Sequence, residues 1–526
     1  MTAKKRGENK ALKQSDVLPM LLIIMDGWGL TKPNRGNATT LAKTKTLDYL
    51  AKNYPYTKLY AHGRHVGLPI KQVGNSEAGH MNIGAGRVVE QDAVKINRSI
   101  KDGTFFKNPA FKEAIGHAKK NRSKLHIMGM LSDDMSPHSD VNHLLALIKL
   151  SREQGMGNNL YLHLFTDGRD SPQHEALRLI MELKRRTKNN IKISTLMGRF
   201  YAMDRKKAWN RTLEAYNAIV LGKGLPAPEA SEAIIESYNR NETDEYIQPY
   251  VINKKGLVSD NDSIIFFNLR SDRARQLSKM FVQKEFNKRN PGSPARPKNL
   301  KNLCFVTITD FGPDLDGILT AYPSVNLTGT LPIIMGGLSQ LYIAESEKFA
   351  HVTYFFNGGY PGHINGEEHF MIPSPAVKSY DQTPGMKSIA LTAKILDNLK
   401  KNKYDFTLLN LAASDMVAHT GNLKAAIKCC EIIDGCVKKL SDAYLKKGGT
   451  VMITSDHGNI EELINLKTGE VDTEHSTNQV PFILVNKKLK NRRLRVNGAL
   501  CDIAPTILQL LNRKKPGEMS GESLVS

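Results

Sequence analysis

A two-domain α/β fold, with one domain inserted into the other, is what this sequence predicts. Three observations carry the prediction. The chain has 526 residues, too many for a single ordinary core. Short apolar runs alternate with helical stretches along most of its length, the pattern of sheets layered with helices. Residues suited to one chemical site stand near both ends, Asp26 and Ser76 early, Asp415, His419, Asp456, His457 and His475 late. The first and last portions therefore form one domain and the middle portion is the insertion.

The elements follow in order. MLLIIMDGWG reads as a central strand ending in a loop, and a helix is expected over about 38–53. Near Gln91 the character changes. KINRSIKDGTFFKNPAFKEAIGHAKK is helical in pattern, and KLHIMGMLSDD is a strand with a polar end. The alternation repeats through VNHLLALIKLSREQG, NLYLHLFTDGRDSP, HEALRLIMELKRR and IKISTLMGRFYAMDR, and SIIFFNLRSDRARQLSKMFV continues it. The Pro-, Lys-, Arg- and Asn-rich stretch 284–302 reads as an exposed loop. NLCFVTITDF resumes a strand, and a crossover back to the first domain is expected over 312–324. Two helix-then-strand units follow, each ending in acidic or histidine residues, and CDIAPTILQLLN closes the chain as a compact helix.

Lys and Arg number 74 against 52 Asp and Glu, a formal charge of +22. Such a balance suits a nucleic-acid partner or a cleft that concentrates a small polyanion. No zinc-finger spacing or aromatic RNA-binding signature accompanies the charge, and several arginines fall in short Gly- and Asp-containing segments. The small anion is the reading, with no nucleic-acid partner. LPMLLIIM at 18–25 is far too short to span a bilayer. The basic MTAKKRGENKALKQSD is followed by no signal-peptide apolar region and cleavage site. A cytoplasmic location without membrane association is expected. Five cysteines, at 304, 429, 430, 436 and 501, show no CxxC spacing and read as reduced thiols.

The chemistry is concentrated in a few short segments. Asp415 and His419 in DMVAH stand four apart and face one site if the segment is helical. Asp456 and His457 are adjacent in TSDHGN; on a turn such a pair can point to different sides and could serve two neighbouring ions. His475 in TEHSTN adds a nitrogen and Asp26 in IIMDGWG a carboxylate. Carboxylate and imidazole without thiolate suit Mn²⁺ or Zn²⁺. Two such ions can hold phosphoryl oxygens and lower the pKa of a nucleophile. Ser76 in GNSEAGHMNIGAG is the nucleophile expected, its glycines allowing close approach of phosphate and a helix starting there aiming amides at the anion. The same serine also reads as a plain helix cap before Glu77. The two roles are compatible.

GNSEAGHMNIGAGR, DGRD, GRFYAMDR, SDRAR, DMVAHTG, TSDHGN and EHSTNQVPF occur in the order found in the cofactor-independent phosphoglycerate mutases. The chain resembles that family, part of the alkaline phosphatase superfamily, across nearly its whole length. The resemblance implies an alkaline-phosphatase-like metal-binding domain, 1–90 with 323–526, and an inserted α/β phosphotransferase domain, 91–322. It implies two divalent ions, most often Mn²⁺, one held by Asp26, Ser76, Asp456 and His457, the other by Asp415, His419 and His475. The substrate-binding group it implies is His138, Arg169, Asp170, Arg199, Arg205, Arg270, Arg273 and Lys348. Arginine forks match phosphate and carboxylate oxygens, and a lysine adds a mobile point charge.

The implied reaction interconverts 3-phosphoglycerate and 2-phosphoglycerate, a step of glycolysis and gluconeogenesis, without added 2,3-bisphosphoglycerate. Ser76 carries the phosphoryl group, while Asp170 and Lys348 are the candidates for moving protons. Retention of glycerate would separate such a mutase from a metal-dependent phosphatase, a sulfatase-like hydrolase or another phosphomutase. The inserted domain is expected to close over the metals, with hinges near 91–95 and 317–324. One chain carries both halves, so a monomer is expected. The sequence departs from the family in SDDMSPHSD, one residue longer than usual with Asp140 in place of a histidine, and at Ser271, Ala418 and Gln479. None of these removes an expected ligand.

Overall fold

A computed structural model describes residues 13–132, 136–324 and 326–526. The extreme N-terminal tail and the lengthened part of the SDDMSPHSD loop lie outside the described residues. The chain divides into two compact units, Met1–Gln91 with Val325–Ser526, and Asp92–Ser324. Each is an α/β layer structure around its own eight-stranded sheet.

The first unit contains β1 (Met20–Met25), β2 (Tyr56–Tyr60), β11 (Gln340–Glu345), β12 (Glu368–Ile372), β13 (Phe406–Leu411), β14 (Thr450–Thr454), β15 (Val480–Val485) and β16 (Gly498–Ala499). Their order across the sheet is β12-β11-β13-β1-β14-β15-β2-β16. The run β12 to β14 is parallel, and β15 joins antiparallel. All six residues of β1 are buried because helices cover both faces. Met20, Leu22 and Ile24 enter one core, whereas Leu21, Ile23 and Met25 enter the other. That alternation is the period-2 side-chain geometry of a strand, hidden in the sequence by a continuous apolar run.

The second unit contains β3 (Leu125–Leu131), β4 (Leu160–Thr166), β5 (Ile193–Gly198), β6 (Leu225–Pro226), β7 (Tyr250–Val251), β8 (Ser263–Phe266), β9 (Cys304–Thr309) and β10 (Leu319–Tyr322), in the order β10-β9-β8-β3-β4-β5-β7-β6. Leu125, Ile127 and Leu131 of β3 pack on one side, Met128 and Met130 on the other.

The helix foreseen over 38–53 is two, Ala38–Leu41 and Lys45–Asn53. Asp434 accepts from the amides of Thr46 and Leu47 at 3.1 and 2.8 Å, so a carboxylate from the helix Leu423–Lys446 fixes where the second one starts. The 284–302 stretch is exposed over most of its length, as expected, but it is anchored at two points. It holds the short helix Phe286–Arg289, with Phe286 and Asn290 buried. Arg296 lies over the Phe286 ring and donates to the Lys279 and Gln283 carbonyls, satisfying the end of the helix Ser271–Val282. The presumed crossover contains β10, which pairs in parallel with β9. The segments named as hinges also carry regular structure, since a helix runs Asp92–Asp102 and β10 lies within 317–324. Among the described residues no helix is long and apolar enough to cross a membrane.

A polar string crosses the second sheet. Asp262 lies 3.1 Å from His126 Nε2, His126 Nδ1 lies 3.0 Å from His163 Nε2, and His163 Nδ1 lies 2.9 Å from the Thr195 hydroxyl. The carboxylate can only accept, so His126 donates to it, His163 donates to His126, and Thr195 donates to His163. Both imidazoles are neutral in this arrangement. Burial holds both below the ordinary histidine range, His163 far below, with the Asp262 carboxylate partly opposing the effect at His126. Their stabilisation is complete above about pH 6.5, and falls as acid protonates the unfolded chain preferentially, by up to about 1.4 kcal/mol per pH unit for each histidine. The urea midpoint of the metal-free chain is expected to drop between pH 7.5 and 5.5, and to drop less in His163→Gln. Equal drops in the two proteins would contradict the assignment.

Candidate active site

Four functional segments leave the carboxyl ends of four adjacent parallel strands, where open α/β sheets bind ligands. Asp26 follows β1 directly. Asp415 lies in the short helix Ala413–Ala418 beyond β13, and Asp456 and His457 follow β14. Lys348 ends the helical turn Ser346–Lys348 after β11. Ser76 begins the helix Ser76–Ala85, but it is not the cap: Asn75 is, accepting from the Ala78 amide at 2.9 Å. The serine hydroxyl is thereby left for other work. The bounding glycines make room for protein. A Cβ at Gly74 would fall 2.8 Å from the His457 Cβ, and one at Gly79 2.7 Å from the Asp456 Cβ.

Side-chain donors converge in two groups. In each of Asp26, Asp456, His457 and Asp415, His419, His475, one ligand atom per residue lies within 4.8 Å of the others. Asp456 and His457 fall in the same group, with Asp26 from the end of β1, instead of one in each. The Ser76 hydroxyl lies 2.9 Å from His457 Nε2 and 3.2 Å from Asp26 Oδ1. Lys348 stands between the groups, its ammonium 2.7 Å from both Asp26 and Asp415 and 2.8 Å from the Ser76 hydroxyl. Burial would depress this lysine, but Asp26 and Asp415 hold it well above the ordinary range. At His457 burial is likewise outweighed, by Asp456 and Asp26, and the imidazole is raised to about 9.

Both groups fit divalent cations. His419 Nδ1 donates to the Thr473 carbonyl and His475 Nδ1 to the Gly74 carbonyl, each at 2.8 Å. Their Nε2 atoms are left facing each other at 3.2 Å, each 3.4 Å from Asp415 Oδ1. Two lone pairs and a carboxylate oxygen repel one another unless a positive charge stands among them, and backbone carbonyls behind the rings are the usual support of imidazole ligands. In the other group Asp456 Oδ2 is buried without a hydrogen-bond partner. His80 Nδ1 is 3.2 Å from it but is committed to the Ser76 carbonyl at 2.9 Å.

The second unit gathers a cationic group. Arg199 is fully buried and bonded to Asp167 and, at 2.5 Å, to Asp170. His138 Nε2 lies 3.6 Å from Asp170. Arg205 and Arg270 both approach Asp272, at 2.6 and 3.9 Å, and Arg169 approaches Glu245 at 3.5 Å. Arg273 is lowered to about 10 by burial and by Arg199, Arg205 and Arg169. His138 falls to about 4, through burial and then Arg199. Seven of the eight expected substrate residues are thus neighbours here, and Lys348 stands with the cation-fitting groups of the first unit. Asp140 caps the helix Val141–Glu153 and accepts from Asn97 at 2.6 Å.

The sequence reading passed over several supporting residues. Asn410 donates to Asp26 at 2.6 Å and to His80 Nε2 at 3.1 Å, and Asn459 donates to Asp415 at 2.8 Å. Asp167 and Asp272 orient the arginines. All but Asn410 lie inside motifs already singled out. Asn410 had a signal of its own, as the lone amide in the apolar run FTLLNL.

Residues 18–515 match the Metalloenzyme superfamily. A 2,3-bisphosphoglycerate-independent phosphoglycerate mutase of Clostridium botulinum is 46% identical over 516 residues, spanning 96% of this chain and 99% of that protein. The chain belongs to the 2,3-bisphosphoglycerate-independent phosphoglycerate mutase family. A second relative, 2,3-bisphosphoglycerate-independent phosphoglycerate mutase 1 of Methanosarcina barkeri, is 45% identical over 518 residues, with 96% and 98% covered. The solved structure of Leishmania mexicana phosphoglycerate mutase at low cobalt concentration superposes with a TM-score of 0.77 at 29% identity, over 98% of this chain and 100% of that one.

Arg199 and Asp167 form a buried ion pair whose loss should be measurable. Asp167→Asn leaves a buried guanidinium with Asp170 as its remaining carboxylate, a loss of about 3 kcal/mol by analogy with broken buried ion pairs. Thermal unfolding and substrate KM should both report it. An unchanged melting temperature would show that Asp170 alone suffices.

Proposed function

We propose that this chain interconverts 3-phosphoglycerate and 2-phosphoglycerate by carrying the phosphoryl group on Ser76, with no added 2,3-bisphosphoglycerate. The observation that supports it best is the serine hydroxyl at a helix N-terminus, shared between Lys348, His457 and Asp26. Asp26, Ser76, Asp456 and His457 would hold one divalent ion, and Asp415, His419 and His475 the other, Mn²⁺ being the favoured metal. When bound, such a pair supplies Lewis-acid stabilisation of phosphoryl oxygens and of the serine oxygen.

In the first half-reaction the Ser76 oxygen bonds to phosphorus, loses its proton, and the bond from phosphorus to the C3 oxygen breaks. The departing oxygen takes a proton. In the second, the C2 hydroxyl of the retained glycerate bonds to phosphorus, loses its proton, and the Ser76 oxygen leaves. Lys348 is placed to donate to that oxygen as its negative charge grows. Arg270, Arg273 and His138 engage phosphate, whereas Arg169, Arg199 and Arg205 hold the glycerate carboxylate and hydroxyls. Asp170 exchanges protons with a glycerate hydroxyl. The active species is a cytoplasmic monomer serving glycolysis and gluconeogenesis.

Isotopically labelled free glycerate, supplied with unlabelled 3-phosphoglycerate, tests the proposal. Little label should enter 2-phosphoglycerate in the earliest turnovers. Extensive incorporation would contradict retention, and release of inorganic phosphate in place of product would mark a hydrolase. Light scattering paired with activity across protein concentration tests the monomer, which predicts constant activity per chain.

A further inference from the structure

Glu461 has been given no role, yet it is wholly buried between the loops that carry the candidate metal ligands. Its Oε2 accepts from the amides of Gly29 and Asn459, each at 2.9 Å. Its Oε1 accepts from the Ser476 hydroxyl, and from Asn478 Nδ2 at 2.9 Å. All four partners are neutral donors. Each belongs to a segment next to a ligand: Gly29 follows Asp26 by three residues, Asn459 follows His457 by two, and Ser476 follows His475 directly. Asn459 also reaches the Asp415 carboxylate through its own amide.

Two glycines exist to admit this carboxylate. A Cβ at Gly29 would overlap the Glu461 carboxyl group, and one at Gly458 would overlap its Oε1. Backbone and hydroxyl donors from three separate loops therefore converge on one buried anion. An ionised carboxylate offers about four acceptor positions and no donor, which is what this arrangement requires. A glutamine with its N–H2 in the Oε2 position would face two backbone amides that can only donate, and with its N–H2 in the Oε1 position it would force the Ser476 hydroxyl from donating to accepting; a shorter aspartate would fall short of them.

We infer that Glu461 is a positioning residue for both metal groups, clamping the Asp26, His457 and His475 loops so that their donors keep binding geometry. The inference deepens the two-ion reading and rests on it. Supporting residues of this kind typically alter metal affinity 10- to 100-fold on mutation.

The test measures Mn²⁺ binding to the full chain by calorimetry and elemental analysis, alongside circular dichroism and steady-state kinetics. Wild-type protein should bind two ions; fewer would overturn the two-ion reading itself. Given two, Glu461→Gln should keep its secondary structure and lose about tenfold or more in affinity at both sites. Its kcat should recover in excess Mn²⁺ with KM for 3-phosphoglycerate unchanged, a rescue that a purely structural defect would not give. Ser476→Ala, the milder change, should weaken the ion held through His475 more than the other. It decides the matter if Glu461→Gln does not fold. Wild-type affinity at both sites in the folded variants would overturn the inference.

Discussion

Ser76→Ala is expected to keep its fold and lose at least about four orders of magnitude in kcat, because a covalent carrier has no substitute once its oxygen is gone. The fold should survive for a local reason. Asn75, not Ser76, caps the helix Ser76–Ala85, and the amide contacts of that cap do not use the serine hydroxyl. The hydroxyl instead meets Lys348, His457 and Asp26, none of which depends on it alone. Circular dichroism and turnover measured on one metal-replete preparation decide the outcome. Unchanged turnover would remove the phosphoserine route, whereas lost turnover with an intact spectrum supports it.

The sequence made the fold class and much of the metal site legible for one physical reason. Buried parallel strands are written as continuous apolar runs, and the polar residues ending them lie where ligands gather. MLLIIM ending in Asp26 is β1, and TVMIT followed by SDH is β14. Long-range support was much less legible. The break at 42–44 depends on Asp434, nearly four hundred residues away, which no local propensity records. The facing of His419 and His475 depends on two carbonyls whose positions only the folded loops define. Adjacency alone left open whether Asp456 and His457 face one site or two, since neighbours on a turn need not diverge; the fold brings both to Asp26. The anchoring of 284–302 depends on Phe286 and Arg296, two residues easily lost in a basic, proline-containing stretch.

Exhaustive chelation should abolish interconversion, and Mn²⁺ should restore it with two ions per chain. The buried charges explain why the stripped protein should nevertheless stay folded. Asp26, Asp415 and Asp456 are carboxylates with almost no solvent access. The Lys348 ammonium meets the first two of them at 2.7 Å, and His457 neighbours the third. A cation of the protein's own thus stands among these carboxylates, so removing the ions costs function before it costs structure. Lys348→Met separates the two contributions. Its metal-free form leaves Asp26 and Asp415 buried without that ammonium and should lose about 3 kcal/mol of stability, the usual scale for removing one partner of a buried pair. Binding to the folded state alone stabilises it, so saturating Mn²⁺ should recover much of that loss without restoring turnover. Melting temperatures of both proteins, with and without metal, give the four values needed. If Lys348→Met were as stable as the wild type when stripped, the lysine would have no part in holding the site, and its place between the two groups would reflect catalysis alone.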